Sequence, residues 1–414
     1  ELKRVLEDPL PTQPTPPAQP SAPPKAFGGT PAAAAALNSG VLGHGPPSAD
    51  AMLASEAEVK KFLGADLMSF SESYKVFGLH PPALGGSNWT FREWLPSAEA
   101  VSLIGDFNDW DPHTTPLQRS VAASDEWSCE VGPPLSNRLV KGSKYRLRVT
   151  PLQGEVYETL PAWCTYREPE KPLRGTRDAL VWPVEGLQRV APSPAREEGS
   201  SERIYECHPG LVGRTGRKPG LREAKEVVLP RAARDRYTAV LLVGLQEDGP
   251  LASTSSTGPS LFAPSPSLGT PEDLKAFVQT AHQLGLGVFA SVDHSAVPCS
   301  EDPRVSHLAQ SKTGSASQPL FDYAHKEVLR YLLSSIRFFV EEYGMDGFRF
   351  HCVDTMVASE SRANGASRPA TRYLLLVNSL VKSLQARLGG KLTTVAVSAS
   401  PDVAAFCGAV TDGA

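Results

Sequence analysis

The chain lacks the features that recruit membranes or nucleic acids. No stretch approaches the roughly 20 consecutive apolar residues that a membrane-spanning helix needs. With 45 acidic and 41 basic residues, the net charge is only -4. Such a balance gives no strong field to attract nucleic acid or an anionic membrane. We therefore expect a soluble protein with no membrane span and no direct nucleic-acid signature.

Clustered cysteines are also missing. The six cysteines lie far apart, with no C-x-x-C pair and no small-domain disulfide framework, which favours a reducing compartment. The compartment is either the cytoplasm or an organelle such as a mitochondrion or plastid. A metal site built from His294, His351 and Cys352 is disfavoured, because successive strand residues point to opposite faces. We therefore expect no metal and no cofactor.

Proline and alanine dominate the start of the chain. Residues 8–50 are rich in Pro, Ala, Gly and Ser, a composition that cannot bury enough apolar surface to fold alone. We expect residues 1–55 to form a disordered or extended arm, either a linker or a segment laid on a partner. Because the chain starts at Glu1 rather than Met, we expect its start to be processed or incomplete.

Short β-patterns follow this arm. After a short amphipathic helix beginning at Glu56, four segments alternate apolar and polar residues between Gly, Pro, Asn and Asp turns. These segments are Thr90–Trp94, Ala100–Ile104, Glu126–Val131 and Lys144–Val149. The pattern predicts a β-sandwich over residues 56–166. A charged, Pro-rich connector is expected over residues 167–202.

From residue 203 the pattern changes to strand and helix in alternation, which predicts a parallel (β/α) barrel. The predicted strands are Tyr237–Val243, Leu286–Val292, Gly347–Val353 and Leu392–Val397, and the predicted helices start at Thr270 (as N-cap), Lys326 and Tyr373. The fold class is therefore multidomain β and α/β: an N-terminal β-sandwich followed by a degenerate, incomplete (β/α)8 TIM-type barrel over residues 203–414.

Two motifs in the sandwich carry a family resemblance. Gly105-Asp106-Phe107-Asn108-Asp109-Trp110 resembles the G-D-F-N-x-W loop of family 48 carbohydrate-binding modules, and Glu93 to Ala98 resembles their E-W-A-P-x-A motif. The resemblance implies α-glucan as a candidate ligand, with Trp110 and Trp163 as candidate stacking platforms. The alternative is that tryptophans such as Trp94 and Trp127 fill the core.

The barrel region resembles glycogen and starch branching enzymes of glycoside hydrolase family 13. Arg203-Ile204-Tyr205-Glu206 is similar to their R-I-Y-E strand, and Asp346-Gly347-Phe348-Arg349-Phe350 is similar to the start of D-G-F-R-F-D-G-V. That family transfers glucan branches by a retaining mechanism, which needs a carboxylate nucleophile and a carboxylic acid about 5 Å apart.

The resemblance also implies that the catalytic positions are degenerate. His351 stands where the family has its nucleophile, Val397 where it has its acid, and Ser291 where it has the first Asp of D-V-V-H-S-H. Of the sugar-binding subsite, His294 and Arg349 remain. The loop at residues 250–257 lacks the family's aromatic residues.

Two further expectations concern chemistry and completeness. A hydrolytic triad of Ser295, His294 and Asp293 is excluded, since adjacent residues cannot reach the required geometry. The chain ends at Ala414, shortly after the strand that would be fifth in the barrel. We expect either further residues or another protein subunit to cover the open side.

The leading hypothesis is a catalytically inactive branching-enzyme-like protein that acts as a structural or protein-interaction subunit, with other protein subunits as partners. One alternative is an active 1,4-alpha-glucan branching enzyme, which would need substitutes for both carboxylates. The other is an α-glucan-binding module without catalysis.

Overall fold

A computed structural model describes residues 56–121, 125–169, 178–183, 201–213, 219–246, 261–295, 297, 306–309, 320–361 and 368–397. The predicted arm, the loop at 250–257 and the residues after 397 lie outside this set. Within it are seven α-helices: α1 Glu56–Leu63, α2 Leu67–Ser71, α3 Leu221–Arg234, α4 Pro271–Gln283, α5 Lys326–Tyr343, α6 Val353–Ser361 and α7 Pro369–Leu388.

Eight strands of the N-terminal part form two antiparallel sheets, as the alternating patterns predict. The strands are β1 Gly78–His80, β2 Trp89–Trp94, β3 Ala98–Gly105, β4 Gln118–Arg119, β5 Glu126–Val131, β6 Lys144–Pro151, β7 Tyr157–Thr159 and β8 Ala179–Leu180. One sheet has the order β1-β2-β5-β4, and the other joins β3, β6 and β7 with β8 beside β6. The two sheets share one apolar core.

Strand β8 lies inside the segment predicted as a connector. Its residues pair antiparallel with the start of β6, at Lys144↔Leu180 and Tyr145↔Ala179. Ala179 is fully buried in the sandwich core. The sandwich therefore continues past residue 166, because this short apolar pair completes its second sheet.

The C-terminal part holds a five-stranded parallel sheet in the order β13-β12-β11-β10-β9. The strands are β9 Ile204–Cys207, β10 Ala239–Leu242, β11 Gly287–Val292, β12 Gly347–Phe350 and β13 Thr393–Ala396. Helices α3 to α7 lie between successive strands. This is the repeated strand–helix arrangement that the sequence predicts, with chain order and spatial order the same.

Local signals explain where the helices begin and end. Thr270 caps α4 through a capping box with Asp273, and Pro271 occupies the first turn. Helix α5 ends at Gly344, whose φ of 70° lies in the left-handed region that glycine tolerates. Both boundaries agree with the sequence prediction.

Strand β12 is shorter than predicted. It ends at Phe350, and the chain turns at Cys352, whose φ is 56°, before α6 starts at Val353. A left-handed residue cannot continue a β-strand. The turn leaves His351 as the last residue to follow the strand, at the carboxyl edge of the parallel sheet.

Candidate active site at the carboxyl ends of the parallel strands

The parallel sheet has two differently covered faces. Val288, Ala290 and Val292 of β11 belong to the large core that packs against the helices. Phe289, between them, instead packs with Ala239 and Leu241 of β10 in a small separate cluster on the inner face. Because strand side chains alternate, the residues that follow on this inner face include Ser291.

Polar side chains replace the apolar cluster toward the carboxyl ends of the strands. By the same alternation the inner face carries Glu206 on β9, Arg349 on β12 and His351 just after β12. Ser291 and Arg349 are directly paired in the parallel register. The four side chains thus meet at the edge where barrel enzymes place their active sites.

Arg349 and Glu206 form an ion pair across this face. Arg349 Nη1 donates to Glu206 Oε2 at 2.6 Å, and Nη2 donates to Oε1 at 3.3 Å. The hydrogen bonds from Arg349 hold the pKa of the Glu206 carboxyl below its usual range. Arg349 Nε is buried and has no hydrogen-bond partner among the described residues.

His351 and Ser291 are hydrogen-bonded through Nε2 and Oγ. Arg349 Nη2 lies 3.4 Å from the same Nε2. Burial, and then the Arg349 charge, lower the pKa of His351, while Asp293 and Glu206 act in the opposite direction. The imidazole at the position that the sequence resemblance assigns to the nucleophile is therefore neutral at pH 7.

Val397 lies beside His351 on the next strand. Its backbone N–H donates to the Phe350 carbonyl at 3.0 Å, which extends the ladder between β12 and β13 by one residue. Neighbouring strands are about 4.8 Å apart. The backbone thus places positions 351 and 397 side by side on neighbouring strands. The side chains at these positions are an imidazole and an isopropyl group that is 43% exposed.

His294, expected beside Arg349 in a sugar-binding subsite, is instead fully buried. Its Nδ1 is hydrogen-bonded to the Tyr373 hydroxyl of α7 at 2.5 Å, and its ring packs on Phe350. Its Nε2 has no partner among the described residues, and burial lowers its pKa to about 3. Asp293 and His294 are consecutive residues, so their side chains point to opposite faces of the sheet. His294 points toward the helices, where its ring is covered and cannot contact a sugar.

Trp163 is likewise placed in the core. It is 5% exposed, and its ring is stacked between Phe77 and Phe262. Trp94 and Trp127 are also buried, as the core alternative predicts. Since both faces of Trp163 are covered, the expectation that it stacks on a sugar is corrected.

Trp110 is only partly buried and lies in the predicted loop. Asp109 and Trp110 both have positive φ, 55° and 62°, a conformation that is costly for non-glycine residues. The indole Nε1 donates to Asp106 Oδ1 at 3.1 Å, and the Arg146 guanidinium lies 5.6 Å from the ring centroid. The loop therefore holds this ring in a fixed orientation at the surface.

A metal site and a membrane-spanning helix were both expected to be absent. Within the described ranges, no group of three or more His, Cys, Asp or Glu side chains is arranged to hold a metal ion. No helix in the same part of the chain has both the length and the apolar character to cross a membrane. Glu206, the partner of Arg349, was not among the residues predicted from the sequence. Alternation along β9 puts Glu206 on the inner face, and that signal could have found it.

A family comparison agrees with the sandwich. Residues 76–164 match Carbohydrate-binding module 48 (Isoamylase N-terminal domain). This range includes seven of the eight sandwich strands and the Trp110 loop.

Solved structures share the fold. The GBS pullulanase SAP in complex with maltotetraose superposes with a TM-score of 0.58 at 17% identity, over 77% of this chain and 45% of that chain. The catalytic module of the glycogen-degrading pneumococcal virulence factor SpuA gives 0.57 at 16% identity, over 80% and 52%. At such identities the likeness concerns the fold alone: a β domain followed by an α/β domain.

Curated relatives extend the match along most of the chain. The 1,4-alpha-glucan-branching enzyme of Yarrowia lipolytica is 31% identical over 381 residues, covering 84% of this chain and 54% of the relative. That of Equus caballus is 34% identical, covering 76% and 48%. The Arabidopsis thaliana enzyme 2-2, named chloroplastic/amyloplastic, is 31% identical, covering 86% and 46%. The chain spans about half the length of these relatives.

Together the sandwich motif, the parallel sheet and these relatives show that the chain belongs to the 1,4-alpha-glucan-branching enzyme family.

Proposed function

We propose that this chain is a member of its family that is catalytically inactive in glucan branching and acts as a structural or protein-interaction subunit. The observation that carries the proposal is the pairing of His351 with Ser291. At the position where the resemblance puts the nucleophile, the side chain is a neutral imidazole engaged with a serine hydroxyl.

Retaining glycosyl transfer needs two carboxyl groups with different roles. His351 cannot form the glycosyl-carboxylate intermediate, and Val397 on the neighbouring strand has no proton to give the leaving oxygen. Since the two positions lie side by side on neighbouring strands, the loss lies in the side chains. Removing such groups lowers enzyme rates by orders of magnitude.

An active branching enzyme would need other carboxylates in these roles. Glu206 is the nearest candidate, but Arg349 holds it ionised and lowers its pKa, the opposite of what a general acid requires. Asp293 accepts hydrogen bonds from the backbone N–H and hydroxyl of Ser295. Both carboxylates are thus engaged with neighbours rather than aimed at a shared substrate position.

The partner proposal rests on composition and on thiol state. The Pro- and Ala-rich residues 8–50 are suited to lie extended on another protein. Cys129, Cys207 and Cys352 are free thiols, which fits assembly in a reducing compartment.

Glucan binding through the sandwich is a second candidate function, favoured by the fixed and partly exposed Trp110 ring. Aromatic rings bind the apolar faces of sugars, and they bind best when their orientation is set in advance. This function is compatible with an inactive barrel, because the Trp110 loop is remote in sequence from the carboxyl ends of the parallel strands.

Branching activity is tested by incubating the purified chain with amylose. The readouts are the absorbance of the iodine complex and the chain-length profile after enzymatic debranching. We expect both to stay at the level of a no-enzyme control, while the Equus caballus enzyme run in parallel lowers the absorbance and creates new branches. New α-1,6 branch points made by this chain would refute the proposed inactivity.

The subunit role needs a separate experiment. The tagged chain is purified from its native source at near-physiological salt and analysed by sizing and mass spectrometry. We expect a defined set of proteins in constant ratio to the chain. A chain that elutes alone at the size of its monomer would contradict the role.

A further inference from the structure

The Ser291–His351 pair is the serine–imidazole contact that the described residues bring to the carboxyl edge of the parallel sheet. Ser291 Oγ and His351 Nε2 are within hydrogen-bonding distance. Nucleophile and base in direct contact at a substrate-accessible edge are the signature of covalent catalysis. We propose that Ser291 and His351 form a catalytic pair that cleaves carboxylic esters.

The partners of Nε2 favour one tautomer of His351. Arg349 Nη2, at 3.4 Å, can only donate a hydrogen bond, which favours a lone pair on Nε2. In that tautomer Ser291 donates its hydroxyl proton to Nε2, and the ring proton of His351 is on Nδ1. This is the tautomer in which an imidazole accepts a proton from serine.

The charge on the imidazole is also suitable. Burial and the Arg349 guanidinium lower the pKa of His351 below its ordinary value, so the neutral base is present throughout the neutral pH range. Asp293 and Glu206 oppose this shift. Their negative charges stabilise the imidazolium once the proton has been transferred.

Arg349 offers a hydrogen-bond donor with no partner. Its Nε is buried and unpaired among the described residues, although its Nη atoms are bound to Glu206. Arg349 and Ser291 are paired in register on adjacent strands, about 4.8 Å apart. An ester carbonyl oxygen bound near Ser291 would therefore find a donor whose present lack of a partner is costly.

The reaction proceeds in two balanced steps. In the first, Ser291 Oγ forms a bond to the ester carbonyl carbon and its proton moves to His351 Nε2; the carbon–oxygen bond to the alcohol then breaks, and the alcohol leaves with that proton. In the second, His351 Nε2 takes a proton from water, whose oxygen forms a bond to the acyl carbon; the bond between that carbon and Ser291 Oγ then breaks, the carboxylic acid leaves, and Oγ takes the proton back from His351 Nε2. Ester and water yield carboxylic acid and alcohol, and no other reactant is needed.

The burial of Ser291 and His351 limits the size of the acyl group that can reach them. Ser291 is only 9% exposed and His351 is half-buried, so a short acyl chain fits better than a long one. The substrate class is therefore a short-chain carboxylic ester. The polar surroundings of Glu206, Arg349 and Asp293 favour an alcohol portion that carries hydroxyl groups.

The test uses p-nitrophenyl acetate with the purified full chain. We expect a burst of p-nitrophenolate, an acetyl group on Ser291 after acid quench, and roughly a 100-fold loss of hydrolysis in Ser291→Ala and His351→Ala. Ser383→Ala, on the distant helix α7, is the control and should hydrolyse at the parent rate. Added imidazole should partly restore His351→Ala, which a merely structural role would not predict.

Two readouts do not depend on the folding of variants. The rate of the parent protein should rise with pH through the lowered pKa of His351 and level off above it, since the base must be neutral. A fluorophosphonate probe should label Ser291 in the native protein. Unlabelled Ser291, acetyl groups only on lysines, or undiminished hydrolysis by Ser291→Ala would overturn the proposal. None of these results bears on the amylose assay, so the two proposals can fail separately.

Discussion

Arg349 on β12 and Glu206 on β9 are joined by two hydrogen bonds although two strands lie between them. In a flat sheet these strands would be roughly 14 Å apart. Side chains stand nearly upright on a sheet, so the pair would not meet without strong curvature. The contact indicates that the four strands from β9 to β12 curl around a concave inner face.

We expect Glu206→Gln to destabilise the protein by at most about 1 kcal/mol at pH 7, because the Glu206 side chain is 57% exposed and its ion pair is screened by water. The folded pKa of Glu206 is depressed, so the stabilisation is present above the unfolded pKa and is lost as pH falls through the folded one. Urea unfolding at pH 7 and below pH 4 measures the difference.

The matched control for this ion pair is Arg231→Gln, which removes a longer and more exposed pair with Asp235 and should change stability at neither pH. If Glu206→Gln lowers the free energy of unfolding by several kcal/mol, the ion pair between Glu206 and Arg349 is needed to keep the sheet curved.

Glu93 of β2 is a buried carboxyl group that holds the sandwich to the segment before the connector. It is 2% exposed, Oε1 accepts from Trp94 N at 3.2 Å, and Oε2 accepts from Ala162 N at 3.0 Å. Glu93→Ala leaves these backbone donors without a partner, so we expect it to cost about 2–3 kcal/mol. Equilibrium unfolding in urea at pH 7 measures this cost.

The pH dependence gives a second test of Glu93. Burial raises its pKa to about 8, so the folded state binds more protons than the unfolded state between about pH 4.5 and pH 8. Its contribution to stability is therefore fully present below the unfolded pKa and falls as pH rises to 8. Glu93→Gln should remove this slope. If the variant keeps the slope of the parent, Glu93 is not the group responsible.

We expect His294 to change stability with pH in the opposite direction to Glu93. Its folded pKa of about 3 lies below the ordinary 6.5, so the unfolded state binds more protons between these values and stability falls as pH drops below 6.5. At pH 5 the loss relative to pH 7 is roughly 2 kcal/mol. We expect His294→Gln to remove that loss while keeping an acceptor for Tyr373.

Unfolding at pH 5 and pH 7 measures the His294 effect, with His113→Gln as control, since His113 is exposed. Equal pH sensitivity of His294→Gln and the parent would show that the imidazole becomes charged without cost.

The sequence predicted helices whose signals are local. Helix α5 has an apolar stripe and a terminal glycine, and its bounds agree with the prediction. Helix α7 begins at Pro369 rather than at Tyr373: the proline is a start signal, but Arg368 before it makes no side-chain cap. No bounds were predicted for α3, whose charged sequence includes Pro230. In such segments tertiary packing, rather than local helix propensity, determines whether a helix forms and where it begins and ends.

The site was predictable in position but not in geometry. Motif spacing put Ser291, Arg349 and His351 at the ends of adjacent strands, and the structure brings them together. The burial of His294 and Trp163 depends on helices and loops from distant parts of the chain. The partner of Arg349 depends on sheet curvature, which no single segment encodes.

We expect Trp110→Ala to weaken retention of the protein in native gels containing amylopectin by roughly tenfold, the equivalent of one lost aromatic contact. Trp110→Phe should keep most of the retention, since a flat ring remains. The control is Trp182→Ala, which removes another partly buried tryptophan that packs on Tyr166 and should bind as the parent does. Equal retention of Trp110→Ala and the parent would mean that the Trp110 loop does not contact glucan.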